Sequence, residues 1–180
     1  MRAVQVDDDF RAFVRARQDA LFRAAVLVCG NHHTAQDLLQ EAFAKLASRW
    51  EQVRDGSPEA YVRTILYRDA VSHWRKWRRE SPYDVQAPDG VVLATVAGRD
   101  HTGEWVSGAD VRAALAQLPP RQRAVLVLRY YEDLPEEQIA EVLGVSPGTV
   151  KSQASRALAN LRRLLPDLAP ALAGEGGGSA

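Results

Sequence analysis

The stretch that most narrows the fold of this chain is Leu134–Arg156, LPEEQIAEVLGVSPGTVKSQASR. Its spacing predicts two short helices joined by a tight turn. Ile139, Ala140 and Leu143 give the first helix an apolar stripe, as one face of a 3.6-residue period requires. Gly144 follows at once, and a residue without Cβ can take the left-handed conformation that ends a helix. Ser146-Pro147 opens the second helix, with a hydroxyl able to cap free N–H groups and proline at the first helical position. Val150, Ala154, Ala157 and Leu161 then face inward, leaving Thr149, Lys151, Ser152, Ser155 and Arg156 outward. Ala140, Gly144 and Val150 stand at gaps of four and six, which fits a helix-turn-helix. The helices cross closely at the alanine, the chain turns at the glycine, and the valine fills the angle between them.

An αα-hairpin with a solvated outer face has the same spacing, so the choice rests on chemistry. No acid occurs from Ser146 to Arg163, and the outer face of the second helix carries small hydroxyl and amide groups with Lys151 and Arg156. A generic solvated helix mixes both signs of charge. This face is suited to reading DNA.

The 180 residues suffice for one domain or two small ones,. No run approaches the 18 apolar residues of a membrane span, and the acidic start MRAVQVDDDF lacks the apolar core of an export signal,. Both features predict a cytoplasmic protein. The lone Cys29, in AAVLVCG, reads as a small core hydrophobe, and the four histidines have no metal-ligand spacing,. Neither a metal nor another cofactor is expected, and no nucleophile–base cluster marks an enzyme. Twenty-three basic residues balance 23 acidic ones, which argues against a protein that holds DNA unaided. The charge is uneven, however: Arg75, Lys76, Arg78 and Arg79 fall within five residues, whereas 81–108 carries Arg99 against Asp84, Asp89, Asp100 and Glu104.

In chain order, Asp7-Asp8-Asp9 precede a helical stripe from Phe10 to Val28 that ends at Gly30-Asn31,. Thr34 is the expected cap of a second helix, with His32-His33 in the loop before it. That helix has Leu38, Leu39, Ala42, Leu46 and Trp50 on its core face, and Asp37, Gln40, Glu41, Lys45 and Phe43 on the other. An apolar ring among charges suggests a protein contact, or else a half-buried core residue. Ser57-Pro58-Glu59 starts a third helix running to about Arg79,. Val62, Ile65, Leu66 and Ala70 form its core stripe, and Tyr67–Val71–Trp74 a second stripe that runs into Arg75-Lys76-Trp77-Arg78-Arg79. Rings interleaved with cations suit unpaired nucleic acid, stacking on bases while following phosphates; the alternative is that Trp74 and Trp77 are core and the arginines solvated.

Residues 81–108 lose periodicity and gain prolines and glycines, the composition of a flexible linker,. Asp110 can cap a helix that Pro119-Pro120 stop, and Arg121–Tyr131 form the next. The helix-turn-helix follows, and its last helix continues through Leu164 and Leu165. Residues 168–180, ending GEGGGSA, are expected to be disordered,. No strand pattern is present, so the prediction is an all-α chain of two small helical domains, 8–80 and 109–167, joined by the linker.

Three blocks carry a family resemblance. Leu118–Arg162, LPPRQRAVLVLRYYEDLPEEQIAEVLGVSPGTVKSQASRALANLR, resembles the C-terminal DNA-binding region of bacterial sigma factors of the extracytoplasmic-function group. Asp37–Trp50, DLLQEAFAKLASRW, resembles their core-polymerase-binding helix, and Ser57–Arg79, SPEAYVRTILYRDAVSHWRKWRR, their promoter-melting helix. Order and spacing agree over roughly 8–80 and 109–165, and LPPRQRAVLVLRYYEDL with GTVKSQASRAL is similar to the actinobacterial SigE-like branch.

The resemblance implies an initiation factor that binds core RNA polymerase, at the largest-subunit clamp helices and the flap, and places two helical domains on two promoter elements. Ser146, Gly148, Thr149, Lys151, Ser152, Ser155 and Arg156 match the positions that face the minus-thirty-five duplex. Tyr67, Arg68, His73, Trp74, Arg75, Lys76, Arg78 and Arg79 match the helix that melts and holds the minus-ten strand, and Gln52–Ser57 the loop that receives a flipped base. Asp37, Leu38, Gln40, Glu41, Phe43 and Trp50 match the polymerase contact. An anti-sigma factor is a further partner of many members of the group. Arg68 and Ser72 stand where the family usually has Asn and often Asp, and Pro135 where a Ser or Thr cap is common. The competing reading is a stand-alone helix-turn-helix regulator with an N-terminal sensing or dimerisation domain, which the neutral charge, the long linker and the Asp37–Trp50 block disfavour. A protein-interaction module without DNA contact is the third.

Overall fold

The computed structural model describes residues 8–80 and 108–166, with side chains described for 8–73 and 108–166. Among the described residues there is no strand. The expected linker, Gly108 apart, and the Gly-rich tail lie outside the described residues.

The N-terminal module consists of α1 (Asp8–Cys29), α2 (His32–Ser48), α3 (Trp50–Val53) and α4 (Pro58–Glu80). Asp8 and Asp9 occupy the first turn of α1, where negative charge offsets the helix dipole,. Asn31, rather than Thr34, caps α2. Its backbone is extended, and its side-chain oxygen accepts the Thr34 N–H at 3.1 Å. His32 and His33 therefore form the first turn of α2 and no loop, with the His32 ring edge-on to Phe22 at 5.3 Å. α2 ends at Ser48, whose hydroxyl donates back to the Lys45 carbonyl at 2.8 Å, a bond that competes with the helical backbone. Trp50 thus opens α3 instead of closing α2, and Phe10 and Phe13 of α1 cover it with ring centroids at 5.3 and 5.7 Å. At the head of α4, the Ser57 hydroxyl accepts the Ala60 N–H, as the Ser-Pro-Glu start predicts.

The C-terminal module consists of α5 (Gly108–Gln117), α6 (Pro120–Leu126), a π-helical turn (Val127–Tyr131), α7 (Glu136–Leu143) and α8 (Pro147–Leu164). Asp110 lies inside the first turn of α5 and does not cap it. The helix expected over Arg121–Tyr131 starts at Pro120 and widens at Val127, where the Glu132 N–H reaches back to the Val127 carbonyl at 3.0 Å. The wide turn keeps Val127 and Leu128 buried and leaves Tyr130 and Tyr131 exposed. α8 ends at Leu164, with Leu165 as its cap.

The two modules share their interior. One apolar cluster joins Leu21, Ala25, Leu46, Leu66 and Tyr67 of the first to Val125, Leu128, Ile139, Val142 and Val150 of the second. A smaller cluster, Ala114, Leu118, Leu126, Ala157 and Leu161, ties α5 to α6 and α8. At the seam, buried Arg123 donates to the Val28 carbonyl at 3.0 Å and to the Ala116 and Leu118 carbonyls at 2.7 and 3.1 Å. It thereby satisfies the ends of α1 and α5 at once, groups that helix termini leave without partners. Burial lowers the Arg123 pKa and pushes the neighbouring Cys29 thiol up to about 12, so Cys29, half-buried against the core, is an inert thiol at neutral pH,.

Candidate nucleic-acid interface

The helix-turn-helix closes as its sequence requires. Gly144 is left-handed, with φ 65° and ψ 42°, and the Val145 N–H returns to the Ala140 carbonyl at 3.0 Å. Pro135 stands at the cap position, where a Ser or Thr is common in the family, and makes no side-chain cap hydrogen bond; its missing N–H costs the helix nothing there. Val142 is buried and Leu143 only half-buried, because the α7 face turns toward α4 as well as α8. Ser146 caps α8, accepting the Thr149 N–H at 3.2 Å and lying 2.9 Å from the Thr149 hydroxyl. The Ser152 hydroxyl donates to the Thr149 carbonyl at 3.0 Å.

These bonds order the first turn of α8 and leave its outer face open. Ser146, Gly148, Lys151, Ser152, Ser155 and Arg156 are exposed, and Thr149 is half-buried. Inward, Val150, Ala154, Ala157 and Leu161 are buried. The helix N-terminus and the two cations make an acid-free surface on which phosphates and base edges can bind.

α4 is placed differently. Tyr67 is 1% exposed, and its hydroxyl donates to Glu132 of the C-terminal module at 3.2 Å. Burial, reinforced by the Glu132 carboxylate, holds its phenol well above the usual range. Arg63 pairs with the same Glu132 at 3.0 Å and with Glu59 at 3.0 Å. The Arg68 guanidinium donates to the Val142 carbonyl at 2.8 Å and the Glu141 carbonyl at 2.7 Å. It lies so close to the turn that a Cβ on Gly144 would meet its Nη2 at 3.4 Å. Of the residues expected on the melting face, His73 is exposed, Tyr67 is withdrawn, and Arg68 is bound to α7. Trp74, Arg75, Lys76, Arg78 and Arg79 continue α4, and their side chains lie outside the described residues.

On α2, Asp37, Gln40 and Glu41 form an exposed polar strip. Leu38 and Trp50 are buried, at 7% and 8% exposure, and Phe43 is half-buried against the core. Phe10 and Phe13 of α1 cover Trp50, Leu38 lies in the shared core, and Phe43 packs against that core and is no free ring among charges. Lys45 bridges Glu41 at 2.9 Å and Asp69 of α4 at 2.8 Å, and these hydrogen-bonded carboxylates raise its pKa. In the expected base pocket, Gln52 and Val53 belong to α3, and Arg54, Asp55, Gly56 and Ser57 are exposed.

Sequence reasoning missed Glu132, Arg63 and Arg123 as the residues that join the modules. Their partners lie 65 or more positions away, beyond any helical periodicity. The one local signal was Arg68 itself, a long cation in place of a short amide. A cleft of about 300 Å³ opens beside this junction, lined by Arg68, Val71, Ser72, Arg121, Thr149 and Gln153 among others. Among the described residues, no group of His, Cys, Asp and Glu could hold a metal ion. No described helix is long and apolar enough to cross a membrane.

Comparison with known proteins adds identity to this geometry. Residues 13–80 match the family described as Sigma-70 region 2, and residues 109–161 match Sigma-70, region 4. The RNA polymerase sigma-E factor of Streptomyces coelicolor is 38% identical over 158 residues, covering 87% of this chain and 86% of that protein. The ECF RNA polymerase sigma factor SigE of Mycolicibacterium smegmatis is 34% identical over 84% of this chain and 60% of its own length. Among solved structures, the sigma factor RpoE of Bartonella quintana, in complex with the anti-sigma factor NepR, superposes with a TM-score of 0.68. It is 26% identical over 89% of this chain and 98% of that one.

Proposed function

The chain belongs to the extracytoplasmic-function, SigE-like group of RNA polymerase sigma factors, and from that premise we propose how its residues divide the work. Its function is to bind core RNA polymerase and direct promoter-specific initiation of transcription. In the division proposed here, residues 109–167 read the minus-thirty-five duplex and residues 8–80 bind core polymerase and hold the minus-ten strand.

The observation that carries this reading is the α8 face: an ordered, acid-free first turn with exposed Gly148, Lys151, Ser152, Ser155 and Arg156. A helix of this width enters the major groove, where Lys151 and Arg156 reach guanine edges or phosphates. Ser146 and Thr149 act indirectly, because their side chains hold the N-terminal turn in shape to receive a phosphate,. At minus-ten, α4 supplies the wedge and the cations of its C-terminal turns, His73 through Arg79, with Gln52–Ser57 as the pocket for an unstacked base. Asp37, Gln40 and Glu41 are the exposed residues of the polymerase contact. Tyr67, Leu38 and Trp50 support these surfaces from beneath. The bond-making chemistry is polymerase's own, and the chain acts in the cytoplasm beside it. The anti-sigma factor on the Bartonella quintana relative supports an anti-sigma partner for this chain too.

Run-off transcription tests the reading. Core polymerase plus this chain should yield one mapped start on a promoter of its regulon, and core alone none. Tight binding of the free chain to a palindromic duplex, with no transcript, would instead favour the stand-alone regulator.

A further inference from the structure

We infer that Arg121, which lies outside the recognition helix, is a further DNA-positioning residue: its guanidinium takes a phosphate of the minus-thirty-five duplex at the edge of α8 marked by Thr149 and Gln153. The inference rests on the sigma-factor reading for the duplex, and adds to it a contact that α8 itself does not supply.

A helix with its side chains is about 10–12 Å across, and the major groove is about 12 Å wide. A recognition helix therefore fills the groove, and whatever stands at its edges meets the phosphates that wall it. On α8, Gly148, Ser152, Ser155 and Arg156 belong to the exposed face. Thr149 and Gln153 stand one turn apart, both half-buried, and mark one edge of that face,. Arg121 of α6 lines the same cleft as these two residues and is exposed. The edge thus ends in a guanidinium.

Packing fixes that place. Next to Arg121, Gln122 is buried, and its side-chain oxygen accepts from the Asn160 amide of α8 at 2.8 Å. One turn beyond Arg121, Val125 is buried and lines the cleft with Val150 of α8. The first turns of α6 are therefore pinned to α8, and a phosphate held by Arg121 sets the register of the recognition helix.

The charge is also available. The cleft lining contains no acid, and its other cation, Arg68, is committed to the Val142 and Glu141 carbonyls at 2.8 and 2.7 Å. Among the described residues, no ion pair involves Arg121. The contrast with Arg123, two positions on, is direct: that guanidinium is buried and spends its donors on the Val28, Ala116 and Leu118 carbonyls. Arg121 has no such structural task. An exposed, planar fork of donors beside an acid-free helix face suits a phosphate, which it can bind with two parallel hydrogen bonds. Such contacts fix register and orientation on the duplex and carry no sequence information.

The test measures binding of a labelled promoter fragment by holoenzyme, assembled from the full chain and core polymerase, over a series of salt concentrations. Arg121→Ala should weaken binding about tenfold, and should flatten the plot of log affinity against log salt by about 0.9, the share of one phosphate. The same factor should appear on a fragment with its minus-thirty-five bases changed, whereas a base-reading residue loses only on the cognate sequence. Arg121→Lys, which keeps the charge, should restore the slope. Circular dichroism checks the fold, and Arg121→Gln takes the place of Arg121→Ala if that variant unfolds. A slope equal to the parent's in the folded variant, or a loss confined to the cognate sequence, overturns the phosphate contact. Parent holoenzyme that binds the promoter no better than core alone defeats the sigma-factor reading itself, and the contact with it.

Discussion

The helices α8 and α4 are both proposed to meet DNA, and both carry cations in their sequence, yet the chain treats them unequally. α8 turns its apolar side to α6 and α7 and keeps its polar face free. α4 is bonded to the C-terminal module through Arg63, Tyr67 and Arg68, of which Tyr67 is buried. The difference shows that a helix's outward face is outward only with respect to its own module. Where a second module follows on the same chain, the polar positions of the first can be claimed by it.

The shared seam should dominate stability, and alkali should attack it most. Cys29 has a thiol pKa raised from 9.0 to about 12 by burial. The folded state therefore binds this proton more tightly than the unfolded one, and the associated stability is complete below pH 9 and lost as the pH rises toward 12. That loss amounts to about 4 kcal/mol at the upper limit. The raised Tyr67 phenol adds a loss of the same sign above its usual range. Thermal melts from pH 8 to 12 should fall steeply, and Cys29→Ala should flatten part of the slope.

Arg123→Met comes next, at about 3 kcal/mol, since it leaves three carbonyls at the module junction without their charged donor,. Urea unfolding should show it as a lower midpoint, and a second transition would mean that the modules have come apart. Gly144→Ala should cost about 1–2 kcal/mol through the left-handed backbone at φ 65°,. Gly148→Ala, whose Cβ would meet only the Ser146 hydroxyl at 4.0 Å, should stay within about 0.5 kcal/mol. Equal losses at the two glycines would contradict the contrast between the seam and the open face. Smaller again, Ser146→Ala should cost about 1 kcal/mol or less, the worth of one cap, without disturbing α4.

Much of this architecture was legible because it is local. Gly144, Ser146-Pro147 and the Val150–Leu161 stripe encode the helix-turn-helix within some twenty residues, and each does in the structure what its chemistry demands. The three-block resemblance identified the family. Caps misled where two residues competed: Asn31 took α2 from Thr34 because an amide oxygen reaches the third N–H readily from an extended backbone,. The burial of Tyr67 has a cause that local spacing does not carry. Its ring packs in the apolar cluster that both modules build, and its hydroxyl meets Glu132, 65 positions later. Arg68 stood out by departing from a family pattern, yet the carbonyls it binds carry no side-chain signal.

The central claim is that α8 chooses the upstream site while α2 secures the polymerase. Footprinting a promoter with holoenzyme assembled from the Lys151→Glu chain tests it most directly. Protection at the minus-thirty-five element should vanish while the chain still co-purifies with core polymerase and melts at its usual temperature. Upstream protection equal to that of the unaltered chain would contradict the account.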